Sequence, residues 1–325
     1  MQSFIFAANA TLPIIIIVAI GYLCRRVGLI DTDLSKKLNK ISFRLFLPVM
    51  MFVNVYSIDS SMNIGVGYII FGCVASLIVF GIALVAVPLI SKKGDVKAVL
   101  AQATFRSNFA LIGIPLSEAL FGAEGAAIAS LLSAFSIPLF NVLAILCFSF
   151  FCGSEKPSPK KIMLDIVKNP IIISVALGGA FLGIKCLLVN NCIQFTLENI
   201  TPLYKALTSL ATVATPLALV ALGSQFEFSG TREFRREIIY AVAVRNLLVP
   251  AAVMTVAYFI GTFSGAHFAA FVAMFATPIA VSSVPMSQEL GGESRLAGQL
   301  VVWTTLISAV TFFLFSFILK YVGIF

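Results

Sequence analysis

A cluster of polar residues interrupts one of the long apolar stretches of this sequence. Residues 106–118 read RSNFALIGIPLSE, so an arginine, an asparagine, a glycine, a proline and a glutamate share one apolar stretch. A proline removes one backbone donor and clashes with the preceding helical turn, which leaves backbone groups without helical partners. A half-helix that begins there presents unpaired N–H groups and the positive end of its dipole. The stretch therefore predicts a binding site for an anion, such as a carboxylate.

A second apolar stretch near the end of the sequence has the same character. It contains Pro278 and the run SSVP at 282–285. Two interruptions that meet would favour one carboxylate between them, with amide or hydroxyl donors from both. The predicted substrate-binding residues are Asn108, Gly113, Ile114, Pro115, Pro278, Ser282, Ser283, Val284 and Pro285. Whether Pro278 or Pro285 marks the second interruption is left open at this point.

Four ionisable residues lie in or beside these and a neighbouring stretch: Arg106, Glu118, Arg245 and Glu289. Ionisable residues inside a membrane are costly and are candidates for function. Arg106 could attract an anion or pair with an acid, and its alternative is to hold a helix end by snorkelling. Arg245 is similar, with a structural salt bridge as the alternative. Glu118 and Glu289 could take up a proton in a coupled cycle or serve only at the membrane interface.

The composition shows which elements must position these residues. Hydrophobic residues make up 60% of the 325-residue chain, charged residues only 11%, and the mean hydropathy is +1.05. Soluble domains are about half apolar and about a quarter charged, so this composition predicts an all-α, polytopic membrane protein. The net charge of +8 does not indicate nucleic-acid binding, because the Lys and Arg residues cluster in short loops. The sequence has no metal motif and no nucleophile–base pattern, so we expect neither enzymatic activity nor a cofactor.

Ten membrane-spanning helices are predicted, and most of the 22 Lys and Arg residues fall in the loops after the odd-numbered ones. Basic loops stay on the cytoplasmic side, so both termini are predicted to lie outside a plasma membrane. The predicted spans are 6–24, 41–57, 65–90, 98–119, 126–152, 170–188, 202–223, 238–260, 267–290 and 297–320.

An internal repeat relates the two halves of the chain. Three pairs of positions match in the same order: PIIIIVAIG at 13–21 with PIIISVALG at 170–178, Pro48 with Pro216, and PLSEALFG at 115–122 with PMSQELGG at 285–292. Five spans per half is an odd number, so the second copy must be inverted, which is typical of secondary transporters. We predict a first repeat at 1–152, a cytoplasmic linker at 153–169 and a second repeat at 170–325.

Three motifs carry a resemblance to a known family. NFALIGIP at 108–115, LFGAEG at 120–125 and PLFNVL at 138–143 resemble the N-x-x-x-x-G-x-P, L-[FY]-G-x-x-G and P-x-[FY]-N-x-[LV] run of the auxin efflux carrier family. The family includes plant auxin exporters and bacterial malonate or malate carriers, and this short chain looks like the bacterial type. The resemblance implies inverted repeats, spans 4 and 9 crossing at prolines, an elevator-like transport domain, carboxylate transport and commonly a homodimer. Asn108 and Pro115 match positions of the family's substrate site.

The sequence thus predicts a secondary transporter of small organic anions, among them dicarboxylates such as malonate or malate. Its partners would be the lipid bilayer, the anion and a second copy of the chain. Two alternatives stay open: a sodium- or proton-coupled carrier of the bile-acid or cation/proton antiporter type, and a membrane receptor that binds a carboxylate without moving it. Antiporters of that type usually need acidic residues at the helix crossing, where this sequence has only Arg106 as a charged residue.

Overall fold

The computed structural model describes residues 2–57, 66–153, 164, 167–190, 196–226 and 228–325. Within these ranges every regular element is helical, and the backbone pairs in β fashion only at one isolated bridge. Helices satisfy their backbone polar groups internally, as a hydrocarbon environment requires. The chain is an all-helical, polytopic membrane protein.

The α-helices are named here in chain order. They are α1 (Gln2–Arg26), α2 (Thr32–Ile41), α3 (Leu47–Tyr56), α4 (Gly67–Ile90), α5 (Gly94–Phe105), α6 (Ile114–Cys152), α7 (Pro170–Asn190), α8 (Thr201–Gln225), α9 (Phe228–Glu233), α10 (Arg235–Ala243), α11 (Val249–Ile260), α12 (Gly265–Phe275), α13 (Ser283–Glu289) and α14 (Ser294–Tyr321). Helix α6 is kinked by non-helical backbone angles at Phe121 and Gly122, and this kink separates the predicted spans 4 and 5.

Helices lie at all ten predicted intervals, although two of the intervals contain a break. The second span begins earlier than predicted, since Thr32–Tyr56 forms one continuous helical stretch. By length and composition, six helices of the described residues can cross a membrane, or seven if the bent pair Ser294–Ser308 and Val310–Tyr321 counts as one span. The arrangement as two inverted five-helix repeats stays a prediction, and most of the predicted linker 153–169 lies outside the described residues.

Two close helix contacts involve positions that the internal repeat matches. Gly21 of α1 lies against the backbone carbonyl of Val220 in α8, and a Cβ at Gly178 of α7 would lie 2.9 Å from the carbonyl oxygen of Phe52 in α3. Gly21 and Gly178 close the two matched segments, while Phe52 and Val220 each follow a matched proline by one helical turn. Small residues allow membrane helices to pack closely, and here they do so at equivalent places in the two halves.

Three π-helical turns share one relation to proline. They span Ser42–Phe46, Phe109–Gly113 and Val244–Leu248, and each ends two residues before a proline. These prolines are Pro48, Pro115 and Pro250. A proline cannot donate to the preceding turn, and its ring crowds the carbonyl there. The wider π turn accommodates the ring without ending the helix.

Two neighbouring glycines of α7 test the packing against α3. A Cβ at Gly178 would meet the Phe52 carbonyl and the Val55 side chain, whereas a Cβ at Gly179 would have no atom within 4 Å. We expect Gly178→Ala to destabilise the protein by about 1–3 kcal/mol through overpacking. Gly179→Ala should leave stability unchanged or raise it slightly, because alanine favours a helix. Thermal unfolding of both purified variants in detergent measures this difference, and equal midpoints would contradict the described contact.

Candidate functional site

The two broken spans meet at a short antiparallel pairing of their backbones. Ser107 and Ile279 form an isolated antiparallel bridge. Around it, the Asn108 N–H donates to the Pro278 carbonyl at 2.8 Å, and the Ala280 N–H donates to the Arg106 carbonyl at 3.4 Å. Helices α5 and α12 therefore end at the crossing, and the helical stretches that follow them begin there.

The backbone pairing shows which of the two prolines of span 9 lies at the interruption. Pro278 lies within the paired segment, whereas Pro285 lies inside α13. In span 4 the helix stops at Phe105, and Pro115 follows in the first turn of α6, after a π turn. The prediction that Pro115 itself breaks the span was therefore wrong. A proline near a helix start is tolerated, and the break arises from pairing between the two spans.

A cavity opens beside the crossing. Pockets for small ligands are mostly apolar, with a few polar groups that fix orientation. Its lining consists of Leu47, Met50 and Met51 from α3; Arg106, Ser107, Asn108 and Phe109 from the first break; Ile137, Phe140 and Asn141 from α6; Thr215 and Ala218 from α8; and Ala280, Val281 and Ser282 from the second break. Residues from five parts of the chain thus form a mostly apolar cavity that contains one group of polar residues.

Arg106 is the charged residue of this cavity, and its side chain is buried. Nη2 donates to Asn141 Oδ1 at 2.8 Å and to Ser282 Oγ at 2.9 Å, while Nη1 contacts Gln102 Oε1 and Met286 Sδ. All these partners are neutral. Across the described part of the chain, no carboxylate forms an ion pair with this guanidinium. A buried charge normally has a partner of opposite charge, so the site is one in which an anion is favoured.

Two polar side chains beside Arg106 have no hydrogen-bond partner within the described residues. The Asn108 Nδ2 and the Ser107 Oγ are buried, and both residues line the cavity. Buried donors without partners are rare in folded proteins and call for an explanation. A carboxylate has about four lone-pair positions, so one carboxylate could accept from Arg106, Asn108 and Ser107 together.

Arg245 also lies at the crossing, but it does not line the cavity. It is fully buried, and Nε, Nη1 and Nη2 donate to the carbonyls of Thr277 (3.0 Å), Thr104 (3.2 Å) and Met274 (2.9 Å). These carbonyls lie at the C-terminal ends of α5 and α12, where helices leave unpaired acceptors and negative dipole ends. Neither expected role is seen: Arg245 does not line the cavity and forms no salt bridge with a described residue. It caps two helix ends at once.

This arrangement separates charge at the crossing. The carbonyl ends of α5 and α12 are covered by Arg245, whereas the helical stretches that start after the breaks direct their positive ends toward the crossing. Arg106 adds a full positive charge on the cavity side. Positive helix ends and a guanidinium together favour an anion.

The other predicted binding residues occupy different places around the crossing. Asn108 and Ser282 line the cavity, but Gly113, Ile114, Ser283 and Val284 are outside its lining. A Cβ at Gly113 would lie 2.7 Å from the Ala273 carbonyl oxygen of α12 and would overlap the Phe109 ring, so this glycine permits close helix contact. The Ser283 hydroxyl is buried and has no partner among the described residues.

Both acidic candidates lie outside the cavity. Glu118 is exposed on α6. Glu289, at the end of α13, pairs with Arg44 at 3.1 Å, and the neighbouring Gln288 accepts from Asn39 at 2.9 Å. Glu289 therefore joins α13 to the helical stretch Thr32–Tyr56.

Two residues of the Arg106 network were not among the predicted binding residues. They are Asn141 and Gln102. Gln102 accepts from Arg106 and also donates to Ser287 Oγ at 3.0 Å. The signal for Asn141 was present in the sequence, because a lone asparagine in an apolar span seldom lacks a polar partner.

Arg245 can be tested by its effect on stability. Arg245→Met would leave three buried carbonyls unpaired, each at a cost of about 1–3 kcal/mol, so we expect a loss of roughly 3 kcal/mol or more. Arg245→Lys should fall in between, because an ammonium group lacks the fork geometry that reaches three carbonyls. The exposed Arg236 provides the control, and Arg236→Met should unfold like the wild type. Thermal unfolding in detergent measures this, and equal stability of Arg245→Met and Arg236→Met would refute the capping role.

Comparison with known proteins agrees with this architecture. A family model described as "Membrane transport protein" matches residues 6–316. Over 324 residues the chain is 21% identical to an uncharacterized transporter of Methanothermobacter thermautotrophicus, and the alignment covers 97% of this chain and 99% of that relative. The chain belongs to the membrane transport protein family, the auxin efflux carrier family, and it is a multi-pass membrane transporter rather than an enzyme.

Proposed function

We propose that the protein is a secondary transporter of small organic anions and that it binds a carboxylate at the crossing of spans 4 and 9. The observation that carries this proposal is the buried guanidinium of Arg106, which faces the cavity with only neutral partners among the described residues. Moving a charge out of water costs several kcal/mol unless an opposite charge compensates it. A substrate carboxylate supplies that charge.

The polar groups around Arg106 fit one carboxylate group. The Asn108 amide and the Ser107 hydroxyl lie beside it on the first break, and Ser282 lies opposite on the second. Hydrogen bonds to a charged acceptor contribute about 1.5–3 kcal/mol each. The crossing therefore supplies both the charge and the donors of the binding site.

The walls of the cavity support alternating access. One wall belongs to the two breaks, and the other belongs to α3 and α8 through Met51, Thr215 and their neighbours. If the two breaks and the helices that carry them move together against α3 and α8, the bound anion moves with them. The contacts of Glu289 with Arg44 and of Gln288 with Asn39 join the same two units on the side with basic loops. Breaking these contacts would open the cavity toward that side, as an elevator mechanism requires.

The cavity lining favours this function over a cation-coupled carrier of the bile-acid or antiporter type. Coupling ions such as Na⁺ and H⁺ are usually held by carboxylates or by sets of oxygen ligands. None of the described residues that line the cavity is acidic, and Glu118 and Glu289 lie elsewhere. A receptor that binds a carboxylate without moving it would show binding and no flux.

Arg106→Gln tests the proposal directly. Purified protein is screened against organic acids by thermal shift, since a ligand that binds only the folded state raises the unfolding temperature. The acids that stabilise the wild type are then assayed for uptake into proteoliposomes. We expect Arg106→Gln to lower binding and uptake by about tenfold or more, which corresponds to about 1.4 kcal/mol. Asn108→Ala should also lower both, by a smaller factor.

Arg236→Gln, which changes an exposed arginine far from the cavity, is the control and should transport like the wild type. Each variant is first checked for monodispersity and unfolding temperature, and Arg106→Lys is the fallback if the glutamine variant does not fold. Wild-type uptake of no organic acid, or unchanged uptake in a folded Arg106→Gln variant, would refute the proposed function.

A further inference from the structure

We propose that the cavity accepts one negative charge and therefore selects the singly ionised form of its substrate over the doubly ionised form. This inference rests on the proposed function and adds to it the charge of the transported species. It changes the expectation for dicarboxylates: a diacid would be transported as its monoanion.

The first argument is the number of charges at the cavity. Arg106 is the one ionisable residue among the described residues that line the cavity. Arg245 is buried and does not line the cavity, and each of its three side-chain nitrogens donates to one carbonyl, those of Thr277, Thr104 and Met274. One guanidinium balances one carboxylate, and a second carboxylate in the same cavity would have no cation to balance it.

The second argument is the position of the polar groups. Ser107 and Asn108 follow Arg106 in the sequence. The side chains of Asn141 and Ser282 accept hydrogen bonds from Arg106. Away from this spot the lining is apolar except for Thr215, and it consists of Leu47, Met50, Met51, Phe109, Ile137, Phe140, Ala218, Ala280 and Val281. An apolar wall accepts an apolar body or a neutral group, whereas an ionised carboxylate would lose its hydration there without compensation.

Other charged residues do not change this count. On the elements that form the cavity, the described charged residues lie away from the crossing: Asp95 and Lys97 near the start of α5, Glu118 and Glu124 on α6, Arg44 before α3, Lys205 near the start of α8 and Glu289 at the end of α13. Their distance along the helices leaves Arg106 as the charge next to the substrate. Arg106 keeps its proton throughout the neutral and mildly acidic range, since guanidinium groups titrate far above it.

The test compares diacids with their monomethyl esters, which keep the carbon skeleton and remove one charge. Malonate, succinate and phthalate are each paired with the corresponding monomethyl ester. Binding to the full-length wild-type protein in detergent is measured by thermal shift and by competition with a labelled carboxylate. At pH 7.5 we expect each monoester that binds to do so at least about tenfold more tightly than its diacid.

The pH dependence provides an independent readout within the wild type. As the pH is lowered through the second pKa of the diacid, the fraction of monoanion rises, so its apparent affinity should rise in proportion. The monoester stays singly charged over this range, and its affinity should stay constant. This comparison requires no variant and therefore cannot fail through misfolding.

A variant with a second cation adds a gain-of-function test. Thr215→Lys places an ammonium group on the α8 wall of the cavity, whereas Arg106 lies on the first break. It should raise the affinity for the diacid dianion relative to its monoester, whereas Thr215→Gln, of similar length and neutral, should not.

The outcomes separate this inference from the proposed function. Tighter binding of the diacids than of the monoesters at pH 7.5, or diacid affinity that falls on acidification, would overturn the inference that the cavity accepts one negative charge. Either result would leave the proposed carboxylate transport in place. If no monoester or diacid binds and no other organic acid is taken up, the proposed function fails and this inference fails with it.

Discussion

Two membrane-embedded helices are interrupted at the same place, and their unpaired backbone groups must be satisfied without water. The structure meets this constraint with two devices. The broken ends pair with each other through the Ser107–Ile279 bridge, and Arg245 donates to the carbonyls of Thr104, Met274 and Thr277. In hydrocarbon each unsatisfied backbone group costs several kcal/mol, so neither break would be tolerated alone. The two breaks place Arg106, Asn108 and Ser282 at the cavity.

The same joint determines which charge the cavity prefers. Because Arg245 covers the carbonyl ends, the negative ends of α5 and α12 are neutralised on one side of the crossing. The positive ends of the following helical stretches and Arg106 are left on the other side, where the cavity opens. Two buried arginines thus have different tasks. One compensates the backbone, and the other has only neutral partners among the described residues.

The positions of the helices could be predicted from the sequence, because each depends on a short stretch of apolar residues. Apolar lengths predicted helices at all ten intervals. The break in span 4 was placed at Pro115, eight residues after the paired Ser107, because the break depends on pairing with a segment far away in the chain. The π turn that accommodates Pro115 has no simple sequence signal. For the same reason, the contact of Asn141 with Arg106 and the three carbonyl partners of Arg245 could not be read from local patterns. The paired glycines Gly21 and Gly178 are the intermediate case, since the repeat predicted their equivalence and the structure showed what each contacts.

The central claim is that an organic anion binds between the two breaks through its carboxylate and Arg106. The most direct measurement is an experimental structure of the protein with a carboxylate that raises its unfolding temperature. The account predicts ligand density within hydrogen-bond distance of the Arg106 guanidinium and the Asn108 amide, with the body of the ligand against Met51 and Phe140. Density at any other site, with Arg106 still contacting only Asn141, Ser282, Gln102 and Met286, would contradict it.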